Sequence, residues 1–393
     1  MTESYIRRTV WTCAAGGVCI AGGGTLVFPF LSLYMIELGA APDEAALWTS
    51  IASSATFLVG AVAVPLWAAV SDKTGRKKMI LRAAGCLALA FFMGALVVTP
   101  LQFVGTRMFQ GFSFGYFPIC QSLISVIAGP HTASAMGLLM AGRSTGMVLG
   151  PFVGGVLSHL AGLRMSFFLA AAVDIIAFLL ILFFVKEPKG QAMARHPGIV
   201  RSFRSLSHNR RFMKVLALMI LNQAAILAIN PILALYVAQI TGSFDDADIL
   251  SGIIFGCSGI AGVLSAPFWG RFCEKRGTAP AIALSFAGAG LFAVLQFLAP
   301  SVFLFGALQF AFGLFIVGGT TSLSAAVAEC VPETVRGSAY GLLATGMNIG
   351  NFTGPLLAGA AAHLAGLETV FILSGLLQLG GAWWVWKEMR NHE

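Results

Sequence analysis

Three charged side chains interrupt long apolar runs in this chain of 393 residues, and a charge in such surroundings can perform chemistry. Asp174 is the only acid well inside an apolar run, while Arg107 and Arg143 lie within two others. A carboxyl group among apolar side chains holds its proton more readily than one in water, and exchanges it when its access to water changes. We therefore predict proton binding and release at Asp174, with the cations Arg107 and Arg143 as further candidates for the same site and Glu37, at the end of an apolar run, as a weaker candidate acid.

Each of these residues also has a purely structural explanation. Asp174 and Arg143 can form a salt bridge between neighbouring helices, because a charge in an apolar setting needs a partner. Arg107 can instead bond to backbone carbonyls or extend toward lipid head groups. The residue types leave both explanations open.

The apolar runs themselves predict an all-α membrane protein. Hydrophobic residues make up 58% of the chain and charged residues only 10%, and the mean hydropathy is +0.86, which is too apolar for a water-soluble core. Twelve runs have about the 20 residues that a helix needs to cross a bilayer, whereas the alternating pattern of a membrane barrel does not occur. We predict twelve transmembrane helices, with helix two over about 48–70 and helix four over about 101–127.

The formal charge of +8 does not indicate nucleic-acid binding, because its distribution follows membrane topology. With a cytoplasmic N-terminus, all of the 24 Lys and Arg except Arg107, Arg143 and Arg164 lie in segments on the inner side. We therefore predict a multi-pass protein of a cytoplasmic (inner) membrane with both termini in the cytoplasm. The seven cysteines and six histidines have no metal-ligand spacing, and we expect no disulfide, metal or cofactor.

An internal repeat divides the chain into two halves. Pro231 and Tyr236 follow Pro29 and Tyr34 by 202 residues, and the glycines of helix eleven follow those of helix five by 204. We predict two pseudo-symmetric six-helix bundles, residues 1–185 and 213–393, joined by a basic cytoplasmic linker at 186–212. Two equivalent bundles allow a midplane site to open to alternate sides of a membrane.

A charged turn occurs in both halves. Asp72, Gly75 and Arg76 follow helix two, and Glu274 and Gly277 follow helix eight. Asp72 can simply cap a solvated turn. Alternatively, the positive N-terminus of helix eleven attracts Asp72 when the inner side is closed, and the turn then acts as a gate.

Two further groups of residues complete the candidate site. Small residues and a proline in helix five allow close helix packing, and the predicted set is Gly146, Gly150, Pro151, Gly154 and Gly155. Polar residues on helices that can face a cavity suit a large amphipathic substrate, and the predicted set is Tyr34, Gln110, Tyr116, Gln121, Asn222, Asn230 and Asn348. The two arginines leave an anionic substrate possible.

These motifs resemble those of the major facilitator superfamily over essentially the whole chain. The stretch 72–78 resembles its signature between helices two and three, although Ala68 stands where that family usually has glycine. Residues 107–111 resemble its helix-four signature, and residues 146–155 resemble the helix-five motif of bacterial twelve-helix drug:proton antiporters. The resemblance implies that the helix-four arginine takes part in proton coupling and that the helix-five motif seals the cavity outward.

We therefore expect a proton-coupled secondary transporter that exports drug-like or amphipathic small molecules, with protons, substrate and lipid as its partners, and a monomer. A symporter or facilitator for a small metabolite is the alternative. An ATP-driven pump would need a second subunit, because no Gly-x-x-x-x-Gly-Lys-Ser/Thr loop occurs in the sequence. A receptor or scaffold would not need charged residues inside its membrane helices, and we expect no enzymatic activity.

Overall fold

The computed structural model describes residues 3–186, 206–244, 246–332 and 335–390, and these residues form helices and no strand. We number twelve helical segments in chain order. They are α1 (Glu3–Leu26 and Leu31–Glu37), α2 (Ala45–Thr74), α3 (Arg76–Leu96), α4 (Pro100–Ser113 and Tyr116–Ile127), α5 (Thr132–Ala161), α6 (Leu163–Phe184), α7 (Arg210–Ile229 and Leu233–Thr241), α8 (Ala247–Arg276), α9 (Thr278–Gln296), α10 (Val302–Cys330), α11 (Arg336–Ala365) and α12 (Glu368–Arg390). The predicted all-α architecture is confirmed.

Ten of these segments are long and apolar enough to cross a membrane. One of the two others is α4, whose halves of 14 and 12 residues are each shorter than a bilayer crossing. The other is α11, a continuous helix in which polar residues and glycines lie among the apolar ones. The predicted count of twelve helices holds for the described residues, and the predicted continuity of helix four was wrong.

Proline and glycine account for the irregular points of the helices. Pro29 and Pro231 each lie in a short 3-10 turn that divides α1 or α7, because proline has no N–H to continue the helical bonds. The apolar span of α2 ends at Ser71, close to the predicted end of helix two, and the helix itself continues to Thr74. The chain turns at Gly75, with φ of 105°, and at its counterpart Gly277, with φ of 87°. Only glycine adopts this backbone conformation readily.

The described residues cluster in two compact units. The first contains residues within 1–41, 55–194 and 248–256, and the second contains residues within 42–54, 195–247 and 257–393. The predicted linker at 186–212 lies mostly outside the described residues, and the predicted division at that linker stays a prediction.

In the first unit, α5 packs directly on the backbone of α1. A Cβ atom added to Gly146 would lie 2.3 Å from the carbonyl oxygen of Val18, and one added to Gly154 would lie 2.0 Å from that of Leu26. Both distances are far below van der Waals contact, so any side chain at these positions would separate the helices. Gly150 makes the same kind of approach, at 2.7 Å from the carbonyl oxygen of Gly22.

The second unit repeats this arrangement with α11 on α7. A Cβ atom added to Gly350 would lie 2.4 Å from the carbonyl oxygen of Ile220, and one on Gly354 would lie 2.2 Å from that of Ala224. The glycines that repeat in the sequence thus have the same packing role in both units.

Candidate functional site

Asp174 lies in α6 and is completely buried against α1. Its side chain has no exposed surface, and a Cβ atom added to Gly23 would lie 2.8 Å from its Oδ1 atom. Among the described residues, neither carboxylate oxygen of Asp174 has a hydrogen-bond partner, so the salt bridge to Arg143 is not formed. A buried carboxylate without partners is costly, and the neutral acid is the form that such surroundings tolerate.

The second unit contains an amide at the equivalent position. Gln378 in α12 follows Asp174 by the 204 residues that also separate the repeated glycines of α5 and α11, and it too is completely buried. Its Nε2 atom donates to Oδ1 of Asn222 over 3.0 Å, and Nδ2 of Asn222 donates to Oγ1 of Thr320 over 3.2 Å. Oε1 of Gln378 has no partner among the described residues, so this position has one side-chain hydrogen bond in the second unit and none in the first. Sequence reasoning missed Gln378, although the repeat offset points to it.

Arg107 and Gln110 form a buried pair in the first half of α4. Arg107 is 2% exposed, and its Nη1 atom donates to Oε1 of Gln110 one turn away. The guanidinium also lies 5.8 Å from the ring centre of Phe28 and 5.9 Å from that of Phe103. An amide and two aromatic rings, rather than an acid, thus surround this cation, while its Nε atom has no partner among the described residues.

Arg143 differs from Arg107 in being exposed. Its guanidinium lies 5.1 Å from the ring centre of Phe117, in the second half of α4. Gln121, one turn further along α4, is partly exposed. The three residues offer a cation, a ring face and an amide on neighbouring parts of the first unit.

Glu37 is already engaged in an ion pair. Nε of Arg164 donates to Oε1 of Glu37 over 2.9 Å, and both side chains are more than a third exposed. An exposed ion pair of this kind contributes little to stability. It joins the end of α1 to the beginning of α6, and Glu37 is remote from the buried acid.

The structure describes the side chains of the predicted gate residues with the exception of Asp72. The side chain of Asp72 lies outside the described part of the chain. Arg76 is 5% exposed, and its Nε atom donates to Oγ of Ser122 in α4 over 3.0 Å. Glu274 is exposed at the end of α8. In the first unit, the part of the predicted gate with a defined contact is therefore Arg76, which joins the start of α3 to the second half of α4.

The two tyrosines of the predicted substrate set are buried in the first unit. Tyr34 has no exposed surface, and its hydroxyl donates to the carbonyl oxygen of Gly94 over 2.8 Å. Tyr116 is 2% exposed, and its hydroxyl donates to the carbonyl oxygen of Cys13 over 3.2 Å. Tyr236 repeats the role of Tyr34, since its hydroxyl donates to a backbone carbonyl over 3.0 Å. These hydroxyls join helices to one another.

The remaining predicted polar residues fall into two groups. Asn222 and Gln110 are buried and bonded to other side chains, as described above. The partly exposed residues are Gln121, Asn230 and Asn348. Only this second group has surface available for a ligand.

Comparisons with known proteins agree with this architecture. The sequence profile described as "Major Facilitator Superfamily" matches residues 13–244 and 215–393. The chain is 30% identical over 384 residues to "Multidrug resistance protein MdtG" of Proteus mirabilis (strain HI4320), with 95% of this chain and 94% of that protein covered. It is also 30% identical over 398 residues to the protein of the same name from Dickeya zeae (strain Ech586), with 98% and 95% covered.

Solved transporter structures have the same fold. The crystal structure of the nucleoside transporter NupG superimposes with a TM-score of 0.80 at 18% identity, covering 97% of this chain and 98% of that one. A bacterial homologue of the human lysosomal transporter Spinster, in an inward-facing and unoccupied conformation, superimposes with a TM-score of 0.81 at 14% identity, covering 99% and 98%. At these identities the likeness concerns the fold alone.

Proposed function

Because this chain belongs to the Major Facilitator Superfamily and is a multi-pass membrane transport protein rather than an enzyme, we propose that it is a proton-coupled exporter of amphipathic small molecules. The observation that carries the proposal is the buried carboxyl group of Asp174, which has no hydrogen-bond partner among the described residues. The relatives named for multidrug resistance support a drug-like substrate. The basic inner segments support a bacterial inner membrane with both termini in the cytoplasm.

The proton step follows from the burial of Asp174. The neutral acid fits the apolar contact with α1, whereas the carboxylate requires water or a cation. A conformational change that brings water to Asp174 would release the proton on one side of the membrane, and reprotonation from the other side would allow the group to be buried again. Alternating access of this kind couples proton entry to substrate exit.

Other residues have supporting roles in this proposal. Arg107 and Gln110 form a buried polar pair in α4, and Arg107 takes part in the coupling as a cation that has no acidic partner in the described part of the chain. Arg143 is exposed and contacts substrate rather than Asp174. Asp72 and Arg76, with Glu274 in the other half, belong to the gate. The protein acts as a monomer.

The test is transport by the purified protein in liposomes with an imposed pH gradient. We expect a fluorescent amphipathic substrate to accumulate against its gradient only when protons flow in the opposite direction. Asp174→Asn keeps the size of the side chain and removes the titrating group. This variant is expected to retain exchange of labelled for unlabelled substrate and to lose proton-driven accumulation.

The alternatives give different results in the same assay. A symporter would accumulate substrate with the proton flow rather than against it, and a facilitator would ignore the pH gradient. Unchanged proton-driven accumulation in the Asp174→Asn protein would contradict the role given to Asp174. Glu37→Gln serves as the control, because Glu37 is exposed and paired with Arg164 and we expect it to keep coupled transport.

A further inference from the structure

The break in the middle of α4 has its own set of hydrogen bonds. The first half ends at Ser113, the second begins at Tyr116, and Gly115 between them has φ of 132°. Pro118 has no N–H, so it cannot bond to the carbonyl oxygen of Phe114 as a helical residue would. The break therefore frees backbone carbonyl groups in a helix of the membrane region, and lipid cannot satisfy them.

Two side chains from neighbouring helices satisfy these carbonyl groups. Nη2 of Arg82, in α3, donates to the carbonyl oxygen of Phe114 over 2.9 Å, and its Nη1 donates to that of Phe112 over 3.1 Å. Nε1 of Trp67, in α2, also donates to the carbonyl oxygen of Phe112, over 2.8 Å. The guanidinium of Arg82 lies 4.1 Å from the ring centre of Trp67, so the two side chains support each other.

The second half of the chain shows what happens without the arginine. Trp269, the counterpart of Trp67, donates from Nε1 to the carbonyl oxygen of Leu314 in α10 over 2.7 Å. At the position equivalent to Arg82, however, α9 carries Leu284. The positions equivalent to Gly115 and Pro118 hold Val317 and Thr320, and α10 continues unbroken from Val302 to Cys330. The tryptophan bond is thus common to both halves, whereas the arginine accompanies only the broken helix.

We propose that Arg82 is a positioning residue for transport, and that with Trp67 it keeps α4 divided so that its two halves are directed independently. The first half carries Arg107 and Gln110, and the second carries Phe117, whose ring lies beside Arg143. A continuous α4 would rotate one pair of functional residues relative to the other. This inference rests on the transport function proposed above, and it assigns a role to an arginine that topology alone would explain as a charge on the inner side.

The experiment uses three variants of the full chain in liposomes and in detergent. Arg82→Leu introduces the residue of the second half and leaves the carbonyl oxygen of Phe114 without its donor, while Trp67 still donates to that of Phe112. Adding Gly115→Val and Pro118→Thr to that change gives α4 the residues that form a continuous helix in α10. Arg82→Lys keeps the charge but has a single nitrogen in place of the two that reach separate carbonyl groups. It replaces Arg82→Leu in the experiment if the leucine variant does not fold.

Three measurements are made on each variant. Hydrogen exchange in the segment 115–119, where Pro118 has no amide proton in the unaltered chain, reports whether α4 is broken. Transport gives kcat and KM separately, and thermal unfolding in detergent gives the stability. We expect exchange in this segment to be faster in the unaltered chain than in the triple variant, because the continuous helix gives these amides hydrogen-bond partners. Since a displacement of about 1 Å at a reacting group costs on the order of 100-fold in rate, we expect kcat of the triple variant to fall by about tenfold or more. If Arg82 were merely structural, a triple variant that regains the thermal stability lost in Arg82→Leu would also regain transport. We expect it to regain stability and not transport.

The outcomes separate this inference from the proposed function. Normal kcat in a triple variant with slow exchange at 115–119 would overturn it, as would normal kcat together with unchanged exchange in Arg82→Leu. A chain that does not transport in its unaltered form would instead overturn the proposed function, while hydrogen exchange would still decide whether Arg82 maintains the break. Trp67→Phe and Trp269→Phe provide a matched pair, and only the first is expected to lower kcat.

Discussion

At the scale of single residues, the most informative feature is the difference between Asp174 and Gln378. Both are completely buried at equivalent positions of the repeat, yet among the described residues the amide of Gln378 has a hydrogen-bond partner through Nε2 and the carboxyl group of Asp174 has none. A duplicated fold does not require an acid at this position, because an amide serves in the second unit. The carboxyl group of Asp174 therefore adds something that packing does not explain, and proton exchange is the chemistry available to it.

Removing Gln378 should cost stability. Gln378→Leu leaves Oδ1 of Asn222 buried without its donor, and an unsatisfied buried polar group costs about 1–3 kcal/mol. We expect this variant to unfold at a lower temperature in detergent, and intrinsic tryptophan fluorescence measures the unfolding. Asp174→Asn is the comparison, since Asp174 has no bond to lose among the described residues, and it should unfold at nearly the original temperature. An equal fall in unfolding temperature in both variants would mean that the hydrogen bond of Gln378 does not add to stability.

Arg143 should select substrates by charge. Its guanidinium is exposed beside Phe117, where a ligand can reach both groups. Hydrogen bonds to charged groups contribute about 1.5–3 kcal/mol, so Arg143→Ala should raise KM for an anionic amphiphile by about tenfold or more. KM for a neutral or cationic amphiphile of similar size should change little, and Arg143→Lys should fall between. Equal changes for all three charges would show that Arg143 does not contact substrate.

At the scale of helices, close approach of α5 and α1 depends on glycine at particular positions. A Cβ atom at Gly146 would lie 2.3 Å from the carbonyl oxygen of Val18, whereas one at Gly137, in the same helix, would meet nothing within 4 Å. Forcing extra atoms into a packed contact costs about 1–3 kcal/mol. Gly146→Ala should therefore lower the thermal unfolding temperature and transport together.

Gly137→Ala is the matched control for this prediction. Alanine favours a helix over glycine by up to about 1 kcal/mol, so this variant should be at least as stable as the unaltered chain. A stable Gly146→Ala protein would mean that α5 and α1 can separate without cost. The same comparison would then be needed for α11 and α7, where Gly350 makes the equivalent approach.

At the scale of the whole molecule, the distribution of basic residues predicts the orientation in the membrane. Fluorescent protein fused after residue 393 should fluoresce, because it folds in the cytoplasm, and alkaline phosphatase at the same place should be inactive. Fusions after Gly39 or Pro300, both predicted to lie outside, should show the reverse pattern. Active phosphatase at the C-terminus would require the opposite orientation of all twelve helices.

The sequence alone determined the features that depend on composition and period. Apolar runs of bilayer length require helices whatever their neighbours are, because the backbone must satisfy its own hydrogen bonds in lipid. The repeat offsets likewise predicted that helix eleven corresponds to helix five, and the glycines at equal spacing make equal approaches to α7 and α1. Motif spacing was sufficient to place Arg107 and Asp174 inside helices.

Only the tertiary structure decided which of these groups have partners. Gln378 bonds to Asn222, whereas Asp174 has no hydrogen-bond partner among the described residues. These differences, and the break at Gly115, depend on side chains from helices that are far apart in the chain. Arg82 illustrates the limit, since its charge near the inner end of α3 already satisfied the topology rule. Its hydrogen bonds to α4 became evident only in three dimensions, because a hydrogen bond depends on distance and direction, and sequence spacing specifies neither between separate helices.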